Sequence, residues 1–198
     1  MIARSKQYIA NAKARLEMPD RLRPLRDLLE HLSDVEIDLV GRVCRATRFR
    51  HVANLAAAIS WLGNGLIYAL IGLPILILVP GSWRAVLAAS LAMLIAHVVY
   101  PWLKSACLRE RPFTANSELQ PLIKTLDKLS FPSGHVMSLT AAATPVLIAF
   151  PAFWPGFIAL WLAMGWSRIA CAHHYPSDVL AGTALGAGIA LPLSWAIL

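Results

Sequence analysis

Residues 52–79 read VANLAAAISWLGNGLIYALIGLPILILV, without a single Asp, Glu, Lys or Arg. A membrane-spanning helix needs roughly 20 mostly apolar residues, and this run is longer than that. The whole chain follows the same trend, because 58% of its 198 residues are hydrophobic and only 15% are charged. Such a composition is too apolar for a water-soluble domain of this length. The sequence therefore predicts a membrane protein.

Further apolar stretches follow the first one. Residues 85–103 and 179–198 each have the length of one span, whereas residues 136–166 are long enough to be divided into two. The sequence FPAFWPG at 150–156 predicts that division, because two prolines and a glycine so close together interrupt helices. We therefore predict an all-α, polytopic membrane helical bundle with about five transmembrane helices and a tight hairpin at 150–156.

Residues 1–50 differ from the rest of the chain, and we predict them to be a basic N-terminal domain beside a membrane-embedded domain at 51–198. Leucines and valines recur among their charges at roughly helical spacing. This pattern predicts short amphipathic helices that either pack on the protein or lie on the membrane surface. Ser33 and Glu36 have the spacing of a capping box that would begin the second of these helices.

The formal net charge of +7 raises the question of a nucleic-acid partner. The sequence has no stripe of alternating aromatic and basic residues, so we expect no nucleic acid. Eleven of the 18 Lys and Arg residues instead precede His51. Positive charge near the ends of spans marks the cytoplasmic side. We expect a multi-pass protein of the bacterial plasma membrane with a cytoplasmic N-terminus.

Lys104 and Arg111 follow the second apolar stretch and are seven residues apart. On a helix of 3.6 residues per turn this spacing puts two side chains on almost the same face, so we expect both to point at one anion. Pro112 disfavours helical backbone at the preceding residue, which predicts that the helix ends with Arg111 at the mouth of the site. The alternative is that both are basic side chains that reach the membrane interface from the end of a span.

Residues 131–135 read FPSGH and directly precede an apolar helix. Ser133 has the position of an N-cap, where free backbone N–H groups and the helix dipole favour an anion. Gly134 allows the backbone to approach a phosphate closely, and His135 in the first turn could donate a proton to a departing oxygen. Taken alone, such a turn can equally be a structural helix cap.

Ser167, Arg168, His174 and Asp178 form a third group. Arg168 ends a span without other charges, and its guanidinium is suited to a bidentate contact with phosphate. Asp178 is close enough in sequence to hold one ring nitrogen of His174 and leave the other free as a nucleophile. Without further information, the neighbouring His173 is an alternative candidate for the nucleophile.

These groups together resemble the three signature motifs of the type 2 phosphatidic acid phosphatase superfamily, which also includes glucose-6-phosphatase and the vanadium-dependent haloperoxidases. The matching residues are Lys104 with Arg111 and Pro112, then Pro132 to His135, then Ser167 and Arg168 with His174 and Asp178. The resemblance covers about residues 52–198. It implies an all-helical phosphatase/haloperoxidase-like core whose motifs meet at one membrane face, and its spacing selects His174 over His173.

The resemblance also implies a role for each matching residue. The phosphate would be held by Lys104, Arg111, Ser133, Gly134 and Arg168. His174, oriented by Asp178, would attack phosphorus and form a phosphohistidine, while His135 would protonate the leaving oxygen. Preorganised cations can stabilise the charge that develops in a phosphoryl transfer, so we expect neither a metal nor another cofactor.

The predicted position of the site bears on the substrate. A phosphate at headgroup depth arrives most easily on a lipid whose tails remain in the bilayer, so we expect membrane lipids and a lipid phosphate as partners. Phosphatidic acid, phosphatidylglycerol phosphate and a polyprenyl diphosphate all fit, and the residues do not separate them. A sugar-phosphate phosphatase, a vanadate-dependent haloperoxidase and a non-catalytic membrane scaffold are the alternatives. The oligomeric state is not predicted.

Overall fold

A computed structural model of the chain describes residues 22–125 and 127–198. Residues 1–21 of the predicted N-terminal domain lie outside this part, and the domain boundary at residue 50 stays a prediction. The helices of the described part are α1 Arg23–Ala46, α2 Arg50–Leu62, α3 Leu66–Leu78, α4 Trp83–Cys107, α5 Pro112–Ala115, α6 Gly134–Ala149, α7 Trp154–Ala170 and α8 Pro176–Ile197. The only β interaction found in these residues is an isolated bridge between Glu110 and Leu129. The predicted all-α class is confirmed.

Two of the described helices, α4 and α8, are each long and apolar enough to cross a membrane. The first apolar stretch is divided into α2 and α3, which are bent by 62° and count as a third span only if taken together. Gly65 lies in this break with a φ of 140°, which favours glycine. α6 and α7, with 16 and 17 residues, are shorter than a full span, although the interruption at 151–153 lies in the predicted hairpin. The count of five spans is not confirmed.

The pair α6 and α8 lies at the centre of the bundle, with α4 packed against both. Gly182 and Gly186 lie one turn apart on α8 and allow close approach of the two backbones. A Cβ atom added at Gly182 would lie 2.6 Å from the Ser133 carbonyl oxygen, and one at Gly186 would lie 2.4 Å from that of Met137. Small residues spaced by four are typical of closely packed helices in membranes. This packing brings the start of α6 against the start of α8, where the Ser133 N–H donates to the Asp178 carbonyl at 3.0 Å.

α1 is one continuous helix that packs on the bundle through one face. The Arg26 guanidinium donates to the Ala106 carbonyl from two nitrogens, at 3.2 and 3.1 Å. The capping box predicted at Ser33 and Glu36 is wrong, because both residues lie inside α1 and no helix begins there. The opposite face exposes Val35, with 63% of its surface accessible.

Candidate active site

A polar cavity of about 250 Å³ brings the three sequence motifs together. The predicted site residues that line it are Lys104, Arg111, Gly134, His135, Arg168 and His174. The remaining two, Ser133 and Asp178, are fully buried and adjoin these lining residues. The structure therefore gathers all the residues selected from the sequence, from three separate parts of the chain, around one cavity.

Lys104 and Arg111 meet in a way that the helical spacing did not predict. α4 ends at Cys107, and Leu108 turns the chain with a φ of 53°. Arg111 therefore lies beyond the helix and not on a shared helical face, so that expectation is wrong. Its own backbone is extended, with φ −76° and ψ 152°, as expected for a residue before proline. The turn after α4, and not helical periodicity, brings the two cations together.

Asp127 lies between these two cations. The Lys104 ammonium donates to its carboxylate oxygens at 3.0 and 3.1 Å, and Nη2 of Arg111 donates to Oδ1 at 2.8 Å. Burial raises the pKa of Asp127, but the charges of Arg111 and Lys104 outweigh that effect, and the net pKa lies below its usual value. An ionised carboxylate thus occupies the place between the two side chains that the sequence assigned to phosphate.

Among the residues that the structure describes, the buried donors at the site without a hydrogen-bond partner include the Ser133 hydroxyl and Nε of Arg168. The rest of the Arg168 guanidinium donates from Nη1 to the Ser60 hydroxyl. Ser133 is the N-cap residue of α6, as predicted, but its side chain makes no capping hydrogen bond. A buried polar group without a partner is costly. An anion with several acceptor oxygens is the kind of group that would satisfy both donors.

His174 is fully buried, and its two ring nitrogens face opposite charges. Nε2 lies 3.4 Å from Nη1 of Arg111, which can only donate, so Nε2 carries the lone pair and Nδ1 the proton. Nδ1 lies 3.4 Å from Oδ2 of Asp178 but makes no hydrogen bond to any described residue. Burial, followed by the charges of Arg111 and Arg168, holds the pKa of His174 well below its usual value, so the ring is neutral.

His173 also lines the cavity, but it is engaged by other groups. Its Nε2 lies 3.0 Å from the Ile123 carbonyl, and its backbone carbonyl accepts a hydrogen bond from Arg111 at 2.7 Å. The ring packs edge-on against Phe113. His173 therefore forms part of the wall of the cavity. His174, in contrast, is the histidine whose ring lies beside the Asp178 carboxylate.

His135 is directed at the break between α2 and α3. Its Nε2 lies 3.2 Å from the Ser60 carbonyl and 2.9 Å from Oδ1 of Asn64. Both are acceptors, so Nε2 carries the hydrogen. Gly63 makes this approach possible, because a Cβ atom there would lie 2.6 Å from Cδ2 of His135. The bend in the first apolar stretch thus forms a second wall of the cavity.

An apolar cleft of about 460 Å³ lies beside the polar cavity. It runs between α3, α4, α6 and α7, and its lining is almost entirely aliphatic and aromatic. Tyr68 lines both the cleft and the cavity. Its hydroxyl donates to the His135 carbonyl at 3.4 Å. Polar and apolar compartments therefore adjoin each other at this tyrosine.

Sequence reasoning missed several residues around the cavity. Asp127 and Arg109 lie in the segment between α4 and α6 and belong to no motif. Arg109 proves to be buried against Asp178, with a 2.7 Å ion pair. Ser60 and Asn64 lie in an apolar stretch without any motif. Glu36, in α1, contacts Arg109 at 3.2 Å and has no local signal that would connect it with the site.

Comparison with known proteins gives the family. The model of the PAP2 superfamily matches residues 85–198, which contain all three motifs. The decaprenylphosphoryl-5-phosphoribose phosphatase of Mycobacterium tuberculosis is 34% identical over 153 residues, which cover 77% of this chain and 79% of that protein.

Two solved structures share the fold. The PAP2-type phosphatidylglycerolphosphate phosphatase from Bacillus subtilis superposes with a TM-score of 0.58 at 18% identity, and the match covers 98% of this chain and 94% of that one. LpxE from Aquifex aeolicus has a TM-score of 0.63 at 19% identity, covering 80% and 94% of the two chains. The helical architecture of the described part is therefore that of a membrane-embedded PAP2 protein.

Proposed function

The chain belongs to the PAP2 superfamily, and from this premise we propose that it is a membrane phosphatase that hydrolyses a lipid-linked phosphate ester without a metal. The observation that carries the proposal is the junction at Tyr68, where the cationic cavity adjoins the apolar cleft. A phosphate needs the first compartment and a hydrocarbon chain the second. A lipid phosphate is the substrate class that uses both at once.

Among such lipids, a polyprenyl-linked sugar phosphate is the first candidate. The M. tuberculosis relative, whose name specifies decaprenylphosphoryl-5-phosphoribose, is similar over most of both chains. Phosphatidic acid, phosphatidylglycerol phosphate and a polyprenyl diphosphate present the same two chemical parts and are the next candidates. A sugar phosphate without a lipid stays the alternative, and glucose 6-phosphate represents it in the test below.

In the proposed complex the phosphate lies between Lys104 and Arg111, in the place that the Asp127 carboxylate occupies, and reaches Arg168. The Ser133 hydroxyl and the Gly134 N–H complete its binding, because both lie at the N-terminus of α6, where anions are favoured. These side-chain and backbone donors take the place of the metal cations that other phosphoryl-transfer enzymes use. Asp127 must move away, since a carboxylate and a phosphate repel each other at this distance.

The proposed chemistry has two steps. The negative charge of the bound phosphate offsets the surrounding cations, so that His135 is protonated when substrate binds. Nε2 of neutral His174 attacks phosphorus, the bond from phosphorus to the leaving oxygen breaks, and the imidazolium of His135 gives that oxygen its proton and becomes neutral. Water, deprotonated by His135, then attacks the phosphohistidine, so that phosphate is released and both histidines return to their starting states. Asp178 stabilises the positive charge on His174 during the first step. Two displacements predict net retention of configuration at phosphorus.

The orientation in the membrane belongs to the same proposal. We place the N-terminus in the cytoplasm of a bacterial cell, with the chain in the plasma membrane, on the basis of the basic residues ahead of the first span. Labelling of single cysteines introduced at exposed positions of α1 with a membrane-impermeant reagent, in intact cells and in lysed cells, tests it. Labelling in intact cells would contradict this orientation.

The decisive experiment measures phosphate release by the detergent-solubilised protein in excess EDTA. The panel contains a polyprenyl-linked sugar phosphate, phosphatidic acid, phosphatidylglycerol phosphate, a polyprenyl diphosphate and glucose 6-phosphate. We expect release from a lipid substrate that persists in EDTA and falls by at least about 10³-fold in His174→Ala, because the nucleophile is lost. His173→Ala is the matched control and retains most of the activity. Release that requires a divalent metal, or that survives His174→Ala, would refute the mechanism.

A further inference from the structure

A second polar cluster lies behind the proposed nucleophile and contains no motif residue except Asp178. Its centre is Arg109, which is 4% exposed. Nη1 of Arg109 donates to Oδ1 of Asp178 at 2.7 Å and to the Ser177 hydroxyl at 2.6 Å. The guanidinium also stacks over the Tyr175 ring, 4.1 Å from its centroid. The carboxylate that faces His174 is thus held from the rear by a buried cation.

Glu36 of α1 closes this cluster from the other side. Its Oε2 accepts from Nη2 of Arg109 at 3.2 Å and from the Ser177 hydroxyl at 2.6 Å. Its Oε1 accepts from the Ser177 backbone N–H at 3.0 Å. Ser177 is in the first turn of α8, where N–H groups have no partner within the helix. A carboxylate from α1 therefore caps the helix that carries Asp178.

These contacts fix Asp178 with little freedom. Its Oδ1 is bound by Arg109, and its Oδ2 accepts from the Tyr175 N–H at 2.9 Å. Rotation of the carboxylate would break either the charge-assisted hydrogen bond from Arg109 or the backbone hydrogen bond from Tyr175. Arg109 is shared between two carboxylates, so its position depends on Glu36 as well as on Asp178.

We propose that Glu36 is a positioning residue for the phosphatase reaction, which holds Arg109 and the first turn of α8 so that Asp178 orients His174. The inference rests on the proposed function, and it adds a helix that lies outside the residues matched to the family. Glu36 touches neither the cavity nor the substrate position. Its effect must therefore pass through Arg109 and Ser177 to Asp178, and it belongs to the chemical step and not to substrate binding.

The test compares Glu36→Gln with Asp38→Asn in the purified, detergent-solubilised protein. Glutamine keeps the size of Glu36 but removes the charge that holds Arg109, while Asp38 is an exposed acid two residues further along the same helix. We expect Glu36→Gln to lower kcat roughly ten- to hundredfold with KM unchanged, because misplacement of a reacting group acts on the chemical step. Asp38→Asn should leave kcat and KM as in the wild type.

The same substitution in an Asp178→Asn background distinguishes positioning from a general loss of structure. If Glu36 acts through Asp178, adding Glu36→Gln to Asp178→Asn produces little further loss of kcat. Equal losses of kcat in both backgrounds would overturn the inference. So would an unfolding temperature that falls while kcat per folded molecule is unchanged.

A third variant, Ser177→Ala, decides if Glu36→Gln does not fold or if Asp178→Asn leaves no measurable rate. A lower kcat at constant KM would then support the inference, and an unchanged kcat would refute it. Activity of the wild type and of Asp38→Asn shows separately that the proposed function stands.

Discussion

At the scale of single residues, Asp127 lies where the proposed phosphate would bind. It pairs with Lys104 and Arg111 through hydrogen bonds of 2.8 to 3.1 Å. No sequence signal separates it from Glu110 or Glu118 in the same loop, because all three are isolated acids. Its side chain is 36% exposed, so it is the partner that can leave the cluster, while the two cations are nearly buried. We therefore expect the substrate phosphate and Asp127 to compete for the charges of Lys104 and Arg111.

Replacement of Asp127 by Asn tests this competition. Asparagine removes the negative charge from between Lys104 and Arg111, so anions should bind more tightly. We expect KM for the lipid phosphate and Ki for inorganic phosphate to fall about fivefold, which corresponds to about 1 kcal/mol. Steady-state kinetics with both ligands measure the effect, and Glu118→Gln, at an exposed position in the same loop, is the control. A rise in both constants would mean that Asp127 positions the cations for phosphate and does not compete with it.

At the scale of secondary-structure elements, the break between α2 and α3 organises both compartments. The last turn of α2 and the residues that follow it bring Ser60 and Asn64 to His135. α3 then leaves at 62° and forms a side of the apolar cleft. A straight helix over 52–79 could not contribute to the cavity and the cleft in this way. Gly65, with a φ of 140°, permits the bend, and Gly63 leaves room for the His135 ring. The purpose of these two glycines is not visible in the apolar run itself.

The apolar cleft can be tested with a pair of glycines. A Cβ atom at Gly72, which lines the cleft, and one at Gly188 on α8, which does not, would both enter open space. We expect Gly72→Phe to raise KM for the lipid substrate several-fold, because the ring fills space meant for a hydrocarbon chain, and to leave hydrolysis of a soluble short-chain phosphate unchanged. Gly188→Phe should change neither. Equal kinetics of Gly72→Phe and the wild type on the lipid would exclude the cleft as the place of the chain.

At the scale of the whole molecule, the fold gathers cations from distant parts of the chain into one buried region. Lys104, Arg109, Arg111 and Arg168 are each at most 5% exposed. The carboxylates of Glu36, Asp127 and Asp178 balance only part of this charge, which suits a site that binds an anion. The same excess of positive charge disfavours protonation of nearby histidines.

This charge arrangement predicts a dependence of stability on pH. Burial and the neighbouring arginines lower the pKa of His173 to about 2 and that of His174 well below its usual value. In the unfolded chain both would take up protons below about pH 6.5. The unfolded state then binds more protons, so stability is fully present above that pH and declines as pH falls. We expect a lower unfolding temperature in detergent at pH 5 than at pH 7.5, with a smaller drop in His173→Gln.

A matched control for this effect is His51→Gln, since His51 is exposed and lies outside the site. Its unfolding temperature should depend on pH as the wild type's does. An unfolding temperature that rises on acidification would contradict the assignment of neutral, buried rings at positions 173 and 174.

The sequence by itself determined the membrane class, the all-α architecture, the family and the eight residues that meet around the cavity. These follow from local information: apolar runs reflect the bilayer, and chemical motifs are short and spaced along the chain. Only the tertiary structure decided the partners of those residues. Arg111 reaches Lys104 through a turn at Leu108, Asp127 lies between them, and Glu36 approaches Ser177 across 141 positions of chain. Such contacts depend on how helices pack, here through the close approach at Gly182 and Gly186, and no periodicity in one segment encodes what another segment brings to it.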